Sequence, residues 1–454
     1  MLDLLANAHS SDVCVLSDRG ILSYGQLRSN ISSLLPHLRP RTLIILICDN
    51  SEATLTAYLA CLSSGNVPIL VDSGIGKTLL KRLVDLYNPS SIWSPFRLEA
   101  YAETPVEKIS NIWKYDICAQ SPKIHDDLAL LLMTSGSTGS PKLVRVSYKN
   151  LRSNTESISA YLDLMQSDRH ITTLPYAYTY GLSCINTHLW VGASVVLNSS
   201  NILERAFWDN VSKFRPTSMA GVPYTYELLT RIGLSRLKST SIKNFTQAGG
   251  ALRKDVRNQL GDYMIESSSK IWIMYGQTEA TARMSYLEPS KFYEKVGSIG
   301  VPIPGGSFSI LEGTHEGTLI YHGPNVSMGY AEGPDDLKLG DRNRGRLNTG
   351  DIARVDDEGY WYIVGRNSRF IKINGKRVSL DDIDAALESE GFVSASHFNG
   401  EKIIVVIETT IDAKLEHAKS FLRNEIAIPP SIFLVKSVEQ ISRSESGKVL
   451  HKHI

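Results

Sequence analysis

Apolar runs of five or six residues recur along the chain, each set against a stretch with helical spacing. Leu43 to Ile47 is one such run; Ala57, Leu59 and Leu62 then follow at helical intervals until Gly65, and Val67-Pro68-Ile69-Leu70-Val71 forms the next. Short continuous apolar runs read as strands buried on both faces, and their alternation with helices predicts parallel pairing in an α/β sheet. The run recurs at Leu128 to Met133, at Ser194 to Leu197 and at Ile271 to Met274, without a fixed-period repeat or a low-complexity tract.

Near Asp351 the pattern changes. Ile352 to Val364 reads as a hairpin turning at Asp356-Asp357-Glu358-Gly359, and Phe370 to Val378 as a second, turning on Asn374-Gly375. A helix opening at Ser379, a strand at Ile403 to Glu408, a helix from about Asp412 and a strand near Ile432 to Val435 complete a small α+β unit. The expected fold class is therefore α/β: a large N-terminal body of mixed and parallel sheets over residues 1–365, and a small C-terminal α+β domain over residues 366–454.

Composition narrows the function. The 454 residues carry 48 Lys plus Arg against 47 Asp plus Glu, a net charge of +1, which excludes a whole-chain basic footprint for nucleic acid. With 42% apolar and 21% charged residues, a large core is available. The five cysteines, Cys14, Cys48, Cys61, Cys118 and Cys184, lie far apart without a CxxC pair, so neither a disulfide framework nor a zinc site is suggested. Met1-Leu2-Asp3 lacks the basic start of a signal peptide, and no apolar stretch approaches the ~20 residues of a membrane span, so the expectation is a cytoplasmic protein.

Four segments carry chemistry. Thr134-Ser135-Gly136-Ser137-Thr138-Gly139-Ser140-Pro141-Lys142 follows an apolar strand; its glycines permit close backbone approach, and its hydroxyls, N–H groups and Lys142 suit a polyphosphate. Taken alone it could be a flexible surface loop, and its glycine spacing is not that of a Walker loop. Gly74-Ile75-Gly76-Lys77-Thr78 resembles the end of a Walker loop, but the required first glycine falls on Val71; it reads as a turn opening a helix. Tyr275-Gly276-Gln277-Thr278-Glu279-Ala280-Thr281 offers an aromatic for a base, a hydroxyl for phosphate and a carboxylate for Mg2+. Upstream, Gly249-Gly250-Ala251 presents flat backbone to a planar ring. Asn348-Thr349-Gly350-Asp351 places an aspartate where it could accept two ribose hydroxyls, and Ser444-Glu445-Ser446-Gly447-Lys448 sets a lysine in a terminal Ser/Gly loop. Singly, each of the last three has a plain turn or tail as its simpler reading.

Together, and with Gly297 to Pro304, Gly329-Tyr330 and Gly365-Arg366 in the same order, these segments resemble the adenylate-forming enzymes: acyl-CoA synthetases, luciferase-like enzymes and the adenylation domains of nonribosomal peptide synthetases. The resemblance runs from Leu22-Ser23-Tyr24-Gly25 almost to Lys448. It implies that Thr134, Ser135, Gly136, Ser137, Thr138, Gly139 and Lys142 wrap the β- and γ-phosphates of ATP, and that Gly249, Gly250, Ala251 and Tyr275 enclose the adenine beside Gly276 and Gln277. It implies Thr278 at the α-phosphate, Glu279 on Mg2+, Asp351 with Arg366 at the ribose, and Lys448 reaching in from a mobile small domain that turns about a hinge at Ser368.

The implied activity is conversion of a carboxylic acid to an acyl-adenylate with release of pyrophosphate, then transfer to a thiol, either CoA or the phosphopantetheine of a separate carrier protein. The competing reading is a non-catalytic relative that binds a nucleotide or an acyl-adenylate. Several positions depart from the family pattern: Leu143 replaces a glycine, Tyr148 a frequent histidine, Ser368 the hinge aspartate and Ser442 a proline. None removes a group the chemistry requires. Amino-acid-activating relatives hold the α-ammonium with an aspartate; the matching stretch, Pro175 to Gly181, contains no acid, which points to a fatty, aryl or other plain carboxylic acid. Tyr178, Val222 and Pro223 are candidate walls of the acyl pocket, although the tyrosines could equally be core. The chain ends at Ile454 without room for a carrier domain, so a thiol acceptor is expected in trans.

Overall fold

The first predicted run is the strand Leu43–Cys48, buried at every position, and the helix Glu52–Ser64 follows it. Ser51 caps the helix start by accepting from the Thr54 N–H, and Gly65 ends it at φ +76°, a left-handed conformation that suits glycine. Ala53 through Leu62 are all buried. A helix buried on every side has no solvent face to leave polar. The reason lies in its neighbours: one apolar cluster joins it to Leu46, Leu70 and Leu132 of one sheet and to Val15 and Val195 of another.

The computed structural model describes residues 3–101, 104, 106–109, 111–118, 120–133, 142–311, 315–366, 369–373, 376–399, 401–425, 432–443 and 449. Among these, one sheet has eight strands. Leu43–Cys48, Val67–Asp72 and Leu128–Met133 run parallel in it, and Leu143–Ser147 returns antiparallel beside Leu128–Met133. Residues 134–142 therefore connect two antiparallel neighbours. The helix after the Walker-like turn is Lys77–Tyr87, with Gly76 at its cap.

A second sheet of nine strands has a parallel centre. Arg169–Ile171, Ser218–Gly221, Asn244–Gln247 and Lys270–Tyr275 lie side by side, in that order, and Ser285–Leu287 and then Val301–Pro302 continue the sheet antiparallel. The hairpin expected at Ile352 to Val364 is the second half of a four-stranded antiparallel sheet. Its strands are Ser307–Leu311, Glu316–His322, Arg346–Val355 and Trp361–Arg366. The first two of these were not anticipated from the sequence: Ser307–Leu311 alternates between exposed and half-buried positions, and Glu316–His322 holds an apolar run of only three residues, Leu319 to Tyr321.

Beyond residue 369 a ribbon of Phe370–Ile373 and Lys376–Ser379 is followed by the helix Leu380–Ser389. A sheet of Ser394–Phe398, Ile403–Glu408 and Phe433–Val438, with the helix Asp412–Glu425, completes this region. Leu380, Ile383, Leu387, Val405 and Leu422 form an apolar cluster of their own there. The Asn374-Gly375 turn lies outside the described residues. No described helix is long and apolar enough to cross a membrane.

Candidate active site

Parallel α/β sheets bind ligands in the crevice outside the carboxyl ends of their strands. Here, successive parallel strands of the nine-stranded sheet end at Gly221, Gln247 and Tyr275, and the chain leaving them supplies Val222-Pro223, Gly249-Gly250-Ala251 and Gly276 to Glu279. Segments far apart in sequence are thus set side by side. A cavity of about 860 Å³ opens there, walled by Gly249, Gly250, Ala251, Tyr275, Gly276, Asp351 and Arg366, with Glu388 and Gly391 of the C-terminal region across it.

Gly276 is dictated by packing. A Cβ on it would stand 1.6 Å from the Ala282 carbonyl oxygen, because Thr281 and Ala282, at φ +55° and +106°, turn the chain back over it. Asn325 holds this returned loop, donating from Nδ2 to the carbonyls of Ala280 and Arg283, and the Ser327 N–H donates to the Glu279 carbonyl. Thr278 and Glu279 are therefore fixed by backbone contacts on both sides.

Asp351 is almost fully buried and sits opposite Arg366 in the antiparallel pair. Its Oδ1 meets Arg366 Nε at 2.9 Å. Its Oδ2 accepts from the Tyr275 hydroxyl and, at 3.0 Å, from Gln277 Nε2. Burial, and then the adjacent Asp351, push the Tyr275 phenol well above its usual range, so it remains a donor. The structure thus joins Tyr275, Gln277, Asp351 and Arg366 into one network, drawn from three strands and the turn after Tyr275.

Glu279 heads a second network. The Tyr330 hydroxyl donates to Glu279 Oε1 at 2.6 Å, and the Lys142 ammonium lies 3.7 Å from the Tyr330 ring centre and 3.2 Å from Glu332. Tyr330 is positioned by Arg145, a fully buried side chain that donates to the carbonyls of Met328, Tyr330, Leu339 and Gly340. Sequence reasoning gave neither residue a role. The signal for Arg145 was visible: a lone cation inside the otherwise uncharged strand Leu143–Ser147. Among the described residues no group of three metal-binding side chains occurs, so a cation would have Glu279 as its protein ligand and take the rest from phosphate and water.

At the candidate acyl wall, a Cβ on Gly249 would meet the Tyr178 hydroxyl at 3.1 Å and Val222 at 3.2 Å, while Pro223 packs on Gly250. The tyrosine stretch divides: Tyr176 and Tyr180 are buried core, and Tyr178 is the one that faces Gly249. Thr179 donates to the Thr278 hydroxyl at 3.2 Å, tying that wall to the turn after Tyr275. Thr134, Ser135, Gly136, Ser137, Thr138, Gly139, Ser368 and Lys448 lie outside the described residues. The flanks of the terminal loop are seen: Arg443 pairs with Val449 across its base and reaches Glu227 at 3.9 Å, on the helix Pro223–Ile232 beside the acyl wall.

A family model described as "AMP-binding enzyme" matches residues 3–331. The chain belongs to that family, and its reaction class is ATP-dependent activation of a carboxylic acid to an acyl-adenylate, followed by transfer of the acyl group to a thiol. Relatives include an oxalate–CoA ligase of Arabidopsis thaliana, 28% identical over 71% of this chain and 66% of that protein. A feruloyl-CoA synthase of Amycolatopsis sp is 26% identical over 94% of this chain and 92% of its own. In fold the chain is similar to o-succinylbenzoate CoA synthetase of Bacillus subtilis in complex with ATP and magnesium, with a TM-score of 0.78 and 20% identity over 97% of this chain and 96% of that one.

Proposed function

We propose that this chain is an AMP-forming acid–CoA ligase whose ATP site is the cavity at the strand ends. The observation that carries the reading is the convergence of Gly249 to Ala251, Tyr275, Gly276, Asp351 and Arg366 on that one cavity. The adenine lies between the Gly249–Ala251 backbone and Tyr275, and Asp351 takes the ribose hydroxyls while Arg366 holds its other oxygen. Tyr330 orients Glu279 for Mg2+, which supplies charge neutralisation at the leaving pyrophosphate.

A substrate carboxylate oxygen attacks the α-phosphorus; the bond from that phosphorus to the pyrophosphate oxygen breaks, giving acyl-adenylate and pyrophosphate. Two anions must meet, so positioning and electrostatics carry most of the rate, with Thr278 and Lys448 at the α-phosphate. The thiolate of the acceptor then attacks the acyl carbonyl, and AMP departs. The curated relatives are CoA ligases, which supports CoA as the acceptor ahead of a carrier protein. The small region after residue 366 supplies Lys448 and turns about Ser368 between the two steps. A binding-only role is not favoured, because Glu279, Asp351 and Lys448 all stand in the chain.

The test is ATP–pyrophosphate exchange across a panel of fatty, aryl and amino acids, with Lys448→Ala alongside. Exchange with a carboxylic acid that vanishes in the variant is the expected result. No exchange with any acid, despite measurable ATP binding, would overturn the reading.

A further inference from the structure

Buried Arg145 satisfies its donors on backbone carbonyls; Arg283 does not. Its side chain is 2% exposed. Nη1 donates to the Tyr161 hydroxyl at 3.2 Å, Nη2 approaches Cys184 Sγ at 3.3 Å, and the guanidinium lies 5.0 Å from the centre of the Tyr180 ring. Nε has no partner, and among the described residues no carboxylate pairs with it. A guanidinium offers five N–H donors, and two neutral acceptors leave both its charge and most of its donors uncompensated. Such a buried cation is strongly unfavourable until an anion joins it.

The location says what that anion belongs to. From Gly249 the contacts run inward to Tyr178, from Tyr178 to Tyr180 with ring centres 6.3 Å apart, and from Tyr180 to Arg283. Tyr180 and Cys184 pack in one cluster with Val222 and Tyr178, the candidate acyl wall. Arg283 also borders a small cavity of about 20 Å³, where His170, His188 and Ser218 stand among apolar lining residues such as Leu162, Met219 and Trp272. That space admits a group the size of one water or of a carboxylate's terminal oxygen, and nothing bulkier.

We propose that Arg283 is the specificity-determining residue of the acyl pocket and binds a second carboxylate on the substrate, so that the acids activated are dicarboxylic. One carboxylate reacts at the α-phosphate and the other rests on the guanidinium fork. This rests on the ligase reading for its site, but binding and turnover can be separated.

The test uses the full chain as wild type, Arg283→Met and Arg283→Lys. Succinate, glutarate and adipate are compared with butyrate, valerate and hexanoate, and terephthalate with 4-methylbenzoate, by calorimetry in the presence of AMP and by pyrophosphate exchange with ATP. At least one dicarboxylate is expected to bind on the order of 10²-fold more tightly than its partner, since a polar site left unpaired discriminates strongly. Arg283→Met is expected to abolish or reverse that ratio with AMP affinity unchanged, which a merely structural arginine would not do. A wild type that binds every monoacid as well as its diacid, or a ratio unmoved by Arg283→Met, overturns the proposal. Dicarboxylate binding through Arg283 without exchange supports it and refutes the ligase reading; exchange of monoacids with an unmoved ratio does the reverse. Should Arg283→Met fail to fold, Arg283→Lys keeps the charge but loses the fork, and is expected to cut the ratio about tenfold; an unchanged ratio would again sink the assignment.

Discussion

Replacing Asp351 with asparagine changes little in shape and much in charge. The carboxylate accepts on both oxygens: Arg366 on Oδ1, Tyr275 and Gln277 on Oδ2. An asparagine whose oxygen takes the Oδ2 place keeps Tyr275 and Gln277, but its NH2 then faces the Arg366 N–H and can no longer accept a ribose hydroxyl. The lost pair with Arg366, whose side chain is 55% exposed, counts for little, about 0.5 kcal/mol after solvent screening. A lost hydrogen bond from a ribose hydroxyl to a buried charge costs ~1.5–3 kcal/mol. That loss predicts ATP binding weaker by about 10- to 140-fold at ~1.4 kcal/mol per tenfold; the Arg366 pair, made with or without ATP, drops out of the binding difference. Calorimetric titration with ATP reads the affinity, and urea unfolding checks that the fold survives. Tyr275→Phe is the control: it frees a lone pair on Oδ2 while keeping the ring, so ATP affinity should move by only a few-fold. An Asp351→Asn protein that unfolds normally and binds ATP within twofold of wild type would refute the ribose assignment.

Other consequences follow from the same geometry. Tyr330→Phe removes the donor to Glu279 Oε1, so the Mg2+ concentration for half-maximal exchange should rise roughly tenfold while metal-free nucleotide binding stays put; an unchanged Mg2+ dependence would contradict the pairing of the two residues. Lys448→Ala should abolish the first half-reaction and leave ATP affinity intact; full pyrophosphate exchange in that variant would end the role given to the lysine. Burial holds the His188 imidazole down at about 4, against 6.5 when exposed. Its folded pKa is depressed, so the stability it contributes is present above pH 6.5 and lost as pH falls towards 4, by up to ~3 kcal/mol at ~1.4 kcal/mol per pH unit. Unfolding midpoints of wild type and His188→Gln, measured between pH 7 and 4, should therefore converge as the pH falls; parallel curves would show that His188 is not the group responsible.

Much of this protein was legible along the chain because its information is local. Leu43–Cys48, Leu128–Met133 and Ile403–Glu408 are continuous apolar runs, and burial on both faces needs only that run to be recognised. Gly65 ended its helix as read, since a left-handed cap is a property of one residue and its neighbours. The order of the glycine, tyrosine and acidic motifs likewise identified the family without coordinates. The strands Ser307–Leu311 and Glu316–His322 escaped because the first is half-exposed throughout and the second has an apolar run of only three residues, which give no comparable signal.

What tertiary structure alone decided is which distant residues share an environment. Asp351 and Tyr275 were each readable as site residues, but their hydrogen bond exists because two sheets bring strand ends together. Tyr330 meets Glu279 only because buried Arg145 gathers four carbonyls from the chain around it. Arg283 carries no signal in the sequence that sets it apart from other cations. Its burial against Tyr161, Tyr180 and Cys184, with an N–H left over, arises only when the returned loop after Glu279 packs beneath the acyl wall. Periodicity encodes which face of an element is buried; the partners that make a buried charge stable or leave it waiting for a ligand come from other elements, and no local pattern records them.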